Sequence, residues 1–140
     1  MKRIAILVIG GACLFFNACR KKERESLSIT GTWELTRASG QITINYPPGN
    51  GTRWTFTENN YVFYMNDTLT KSGTYTLVDD STVTASVCLV FPEKQFEQRI
   101  IFDNISDTIK TFIQVSGNRL SMVSGCYAYD AGSMRDFTRK

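Results

Sequence analysis

The stretch "TRWTFTENNYVFYM" runs from Thr52 to Met65. In an extended chain Trp54 and Phe56 fall on one side, and Arg53, Thr55 and Thr57 on the other. Successive strand side chains point to opposite faces, so this alternation fits a half-buried strand. Glu58, Asn59 and Asn60 break the pattern as a turn would, and Tyr61 to Met65 runs back. Two β-rich runs joined by a polar triplet read as a hairpin.

The same pattern extends both ways. Toward the N-terminus, Thr30 to Ala38 reads as a strand with Trp33 and Leu35 on one face. Gln41 to Tyr46 alternates Ile42, Ile44 and Tyr46, and "PPGNG" at 47–51 is a loop. Toward the C-terminus, "NDT" at 66–68 turns the chain. Ser72 to Val78 then sets Tyr75 and Leu77 opposite Thr74 and Thr76. Asp79 and Asp80 read as the next turn, since adjacent strand carboxylates would point apart. Thr82 to Phe91 reads as a long strand, with a loop at Pro92 to Lys94. Phe96 to Phe102, Thr108 to Val115 and Arg119 to Val123 follow, with "SGN" at 116–118 as a hairpin turn. Cys126 to Tyr129 and Asp136 to Arg139 finish the chain. Many short strands with short connections predict an all-β fold. An antiparallel up-and-down barrel of about eight strands would leave no open edge.

In that barrel Trp33, Leu35, Trp54, Phe56, Phe63, Tyr75 and Leu77 take inward positions. Val87, Leu89, Ile100, Phe102, Ile113, Val115, Leu120 and Met122 join them. Leu35, Trp54, Phe56, Phe63, Tyr75 and Leu77 are the candidate lining of a ligand cavity. The alternative is that such bulky side chains simply fill a small barrel.

Ahead of the strands, Lys2 and Arg3 precede an apolar run from Ile4 to Phe16. As a helix it would span about 20 Å, short of the ~30 Å hydrocarbon core of a bilayer. A basic start and a short apolar run fit a signal peptide. Ala18 and Cys19 follow, then the charged cluster that opens with Arg20. This border resembles a bacterial lipobox, which implies cleavage before Cys19 and lipid on its thiol. Two or more acyl chains hold a protein at a membrane where one does not. The expected organisation is a signal peptide at 1–18, a lipidated tether at 19–28 and a β-barrel domain at 29–140.

The whole chain carries 16 basic and 13 acidic residues. From Ser26 onward, ten basic residues face eleven acidic ones, so the folded part does not read as a nucleic-acid binder. No histidine is present, which removes Ser-His-Asp and Cys-His catalysis and every histidine-containing metal site. No nucleophile–base constellation appears, and we expect no enzyme, no metal and no cofactor. Cys88 and Cys126 form a pair that, in an exported protein, reads as a disulfide. Cys88 shares strand parity with Thr82, Thr84 and Ser86, which puts the bond outside the barrel or across a bulge.

"ITGTWEL", Ile29 to Leu35, resembles the Gly-x-Trp signature of lipocalins and lipocalin-like domains. That resemblance implies a Trp at the narrow end of an eight-stranded barrel, with an arginine from the last strand over its ring. Trp33 and Arg139 are the matching pair. The rhythm of "TRWTFTENNYVFY" and "SGTYTL" is similar to small lipocalin-like lipoproteins of Bacteroidetes-type bacteria. Asp67-Thr68-Leu69 and Asp107-Thr108-Ile109 resemble the O-glycosylation sites of their exported proteins, with Thr68 and Thr108 as acceptors. The expected protein is lipid-anchored in the cell envelope, in the outer membrane, and binds a small apolar or amphipathic molecule. The rival is a filled barrel that docks an envelope protein partner. Neither reading involves nucleic acid.

Overall fold

The computed structural model describes residues 28–105 and 108–140. The expected signal peptide and Cys19 lie outside the described residues, as does the tether up to residue 27. Among the described residues nine antiparallel strands form one sheet. They are β1 (Gly31–Ser39), β2 (Thr43–Asn45), β3 (Arg53–Phe56), β4 (Asn60–Met65), β5 (Thr68–Asp79), β6 (Gln98–Phe102), β7 (Thr111–Ser116), β8 (Arg119–Ser124) and β9 (Ser133–Arg139). From β3 onward each strand pairs with the next in sequence, and β9 pairs back onto β1. That pairing sets Trp33 beside Arg139 and Leu35 beside Phe137, and it closes an eight-stranded up-and-down barrel of β1 and β3–β9. β2 is a short arm on the last residues of β1, on the edge that β3 occupies lower down.

Closure satisfies the backbone groups that an open edge would leave bare. The antiparallel register gives two ends. The base gathers the start of β1, the end of β3 and the end of β9. The mouth gathers the end of β1, the β4–β5 turn and the start of β9. Asn66 and Asp67 both have positive φ, so the β4–β5 turn has only two central residues. Such turns twist in the sense that adjacent strands require. Thr68 is therefore the first residue of β5, and that strand starts earlier than the expected Ser72.

The interior core holds Trp33, Leu35, Phe56, Tyr61, Tyr75 and Phe137, with Ile100, Ile113, Leu120 and Met122. A second core lies outside the wall. Phe112 and Val123 alternate with the inward Ile113 and Met122, yet both are fully buried. Val83, Val87 and Phe96 cover them.

This cover replaces the strand expected over Thr82–Phe91. The chain there forms a short helix, α1 (Val83–Val87), ended by Cys88 in a left-handed conformation. Local chemistry outweighs the β-branched composition. Asp80 Oδ1 accepts hydrogen bonds from the Thr82 amide at 2.9 Å and from the Thr82 hydroxyl at 2.6 Å, which bends the chain. Val83 and Val87, four apart, then share one face and bury against the outer wall. Val87 accordingly leaves the barrel interior for the outer core, and Leu89 is largely exposed. Cys126–Tyr129 is likewise not a strand but leads into a 3-10 turn, Tyr127–Tyr129. Of the expected second strand only three residues pair, and Ile42 and Ile44 face solvent while Tyr46 packs on the interior core.

Cys88 and Cys126 are joined by a disulfide, with Cα atoms 5.0 Å apart. It ties the end of α1 to the β8–β9 connection, on the outside of the barrel. Asp80 holds the other end of this flap. Its carboxylate lies 2.8 Å from Lys110 Nζ and 3.1 Å from Arg99 Nε. Burial raises its pKa, but Lys110 and the Thr82 hydrogen bonds outweigh that and hold it at about 2. A carboxylate depressed in the folded state stabilises the fold above its unfolded pKa and stops doing so as pH falls through the folded one. We expect stability to drop by about 2 kcal/mol between pH 5 and pH 2 on this account. Denaturant melts across that range should show a correspondingly smaller drop in Asp80→Asn. An unchanged pH dependence in that variant would contradict the assignment.

Candidate functional site

At the base, Trp33 is completely buried, and its Nε1 donates a 2.6 Å hydrogen bond to the Ile29 carbonyl. The Arg139 guanidinium lies 4.2 Å from the centre of the indole ring, in cation–π geometry. Its Nη1 donates to the Thr30 carbonyl at 2.7 Å and its Nη2 to the Ser28 carbonyl at 2.9 Å. Arg139 thus pins residues 28–30 across the base. Gly31 has φ +133°, and a Cβ there would come within 2.7 Å of Arg139 Nη1. The small residue two positions before the Trp is needed so that the arginine can lie flat.

The middle of the barrel is filled by aromatic rings. Trp54 stacks on Phe56 with centroids 5.5 Å apart and on Phe102 at 5.1 Å. Phe56 meets Tyr75 edge-on at 5.1 Å. The Tyr75 hydroxyl donates to the Thr57 carbonyl at 2.7 Å. The Tyr61 hydroxyl donates to Asp103 Oδ2 at 2.8 Å, and its pKa is pushed up to about 12 by burial and then by that carboxylate. Gly73 leaves the space that the Asp103 carboxylate occupies. Offset and edge-on rings of this kind pack tightly. They divide the interior in two.

The six expected lining residues are divided accordingly. Leu35, Trp54 and Phe63 line a cleft of about 580 Å³ at the mouth, with Tyr46, Met65 and Phe137. Tyr75 and Leu77 instead border a hollow of about 680 Å³ at the base rim. Phe56 lines neither and is buried between them. The expected lining of a ligand cavity is thus split between two separate hollows, because the ring stack fills the centre. The base hollow is the larger and the more open to solvent, with Glu58, Asp79, Lys94 and Glu97 around it. The mouth cleft is walled mainly by apolar and aromatic side chains, the composition that suits a small-molecule site.

Two cations of this cleft were not among the expected lining residues. Lys71 stands opposite Phe63, and Arg135 opposite Ala38, both on the inward side of their strands. Period-2 patterning was available as a signal, since Lys71 precedes Tyr75 by four and Arg135 precedes Phe137 by two. Thr68 and Thr108 are both exposed, Thr68 at the start of β5 and Thr108 ahead of β7. Asp107 is outside the described residues.

Comparisons with protein-family models, curated proteins and solved structures find no match. The functional reading therefore rests on the geometry of this chain alone.

Proposed function

We propose that this is a lipid-anchored envelope protein whose lipocalin-like barrel binds a small apolar or amphipathic molecule at the mouth. The observation that carries the reading is the cleft of about 580 Å³ over Leu35, Trp54, Phe63 and Phe137. Its volume lies inside the ~300–1,000 Å³ typical of ligand sites. The base supports the lipocalin likeness, because Arg139 covers the buried Trp33 there. It also supports the anchor geometry. Ser28 is held at the base, so a tether from an acylated Cys19 would leave the opposite end free to exchange its guest.

The rival reading, an interaction module, is favoured by the filled centre and by exposed apolar side chains near the mouth. Ile42, Ile44, Met65 and Leu69 are all exposed there. One titration separates the two. An uncharged, environment-sensitive apolar fluorophore should bind saturably and quench Trp54 emission. Trp33, buried at the base, supplies a constant background. The Trp54→Phe variant should lose the quench. Absence of saturable binding would favour the interaction module.

A further inference from the structure

The mouth cleft is not uniformly apolar. Lys71 on β5, beside Phe63 of β4, and Arg135 on β9, beside Ala38 of β1, both contribute to its lining. Among the described residues no aspartate or glutamate lines it, and neither cation forms an ion pair or a hydrogen bond. Five other cations of the domain are paired: Arg53 with Asp67, Arg99 and Lys110 with Asp80, Arg119 with Asp136, and Lys140 with Glu34; among the described residues the exposed Arg37 and Lys94, which lie outside the cleft, are not. Two positive charges directed into an apolar cleft, on the inward side of their strands, have no role in holding this barrel together.

We infer that the guest of this cleft is an anionic amphiphile, an apolar chain ending in a carboxylate or phosphate-type head, with Lys71 and Arg135 as the head-group ligands. This rests on the reading of the mouth as the binding site and names the class of molecule it takes. The aromatic wall would hold the chain. The two cations would donate charge-assisted hydrogen bonds to the head, and Arg135 can offer a two-pronged contact that lysine cannot. Both side chains are exposed, so water and salt screen the attraction, and the preference should weaken as ionic strength rises.

The test uses the full chain and two fluorescent probes with the same alkyl chain, one a fatty acid and the other its methyl ester. The acid should bind more tightly than the ester, by roughly tenfold or more. That gap should narrow with added sodium chloride. It should vanish in Lys71→Gln/Arg135→Gln, where acid and ester should bind with equal affinity. Both sites are exposed, and a thermal melt of the variant should match the parent. Equal binding of acid and ester by the unaltered chain would overturn the head-group assignment while leaving the cleft reading intact. So would a gap that survives the double substitution. If millimolar inorganic phosphate displaces the acid as effectively as a second fatty acid does, the site takes a free anion, and the amphiphile assignment fails. If neither probe binds, the cleft reading falls and the assignment with it.

Discussion

Trp33→Ala should destabilise the barrel by about 3–5 kcal/mol, the usual effect of truncating a buried tryptophan. Trp33 is fully buried, sits in the interior core, and donates its indole proton to the Ile29 carbonyl. Its loss would leave a cavity under Arg139 and an unsatisfied carbonyl above it. Arg139→Ala should cost less, because Arg139 is only half-buried and its stacking contributes ~0.5–2 kcal/mol. The two effects should be less than additive, since each residue supports the other across 4.2 Å. Denaturant unfolding of the two single variants and the double variant measures this. Additive losses would contradict the pairing.

Removing the disulfide should have the next largest effect. Cys88 and Cys126 are 38 residues apart in sequence, and linking them restricts the unfolded chain. A bridge of this span contributes roughly 2–4 kcal/mol. Reduction should also act locally. The bond holds the end of α1 over Phe112 and Val123, so hydrogen exchange should accelerate at 83–88 and 96 before it does in the barrel strands. A stability unchanged by reduction, or uniform loss of protection around the barrel, would contradict this account of the flap.

The strands were legible because their signal is local. Trp54 and Phe56 alternate with threonine, and that pattern alone orients β3 toward the core. The hairpins were legible because each turn carries its own residue chemistry, as at Asn66 and Asp67. The order of strands then followed from short connections. The flap was not legible. Val83, Val87 and Cys88 have strand-like composition, and the residues that override it are Asp80, Lys110 and Cys126, two of them distant in sequence. A single Asx-type contact from Asp80 to Thr82 is a weak signal beside six β-favouring residues. The parity of Cys88 left two places for the bond, outside the barrel or across a bulge; the structure has it outside, with Cys88 ending a helix rather than lying in a strand.

The candidate site was half legible for a related reason. Patterning says which side chains point inward, not how far they reach. Leu35, Trp54 and Phe63 belong to the mouth, while Phe56 and Tyr75 meet edge-on and help fill the centre. That outcome depends on ring geometry across three strands. Lys71 and Arg135 were not counted as cavity lining because an inward search weighted by hydrophobicity selects apolar side chains, although Arg135 shares the parity of Phe137 and Arg139. A cation that lines an apolar cleft without a partner in the fold is a sharper mark of function than another apolar residue would be.

The most direct measurement of the central claim is the uncharged-probe titration followed residue by residue by NMR. The account predicts saturable shifts at the Trp54 indole, Leu35, Phe63 and Phe137, with Trp33 and Tyr75 unmoved. Saturable shifts centred on Tyr75, Leu77 and Ile113 would place the site in the base hollow instead, and no saturable shifts at all would contradict a binding role for the barrel.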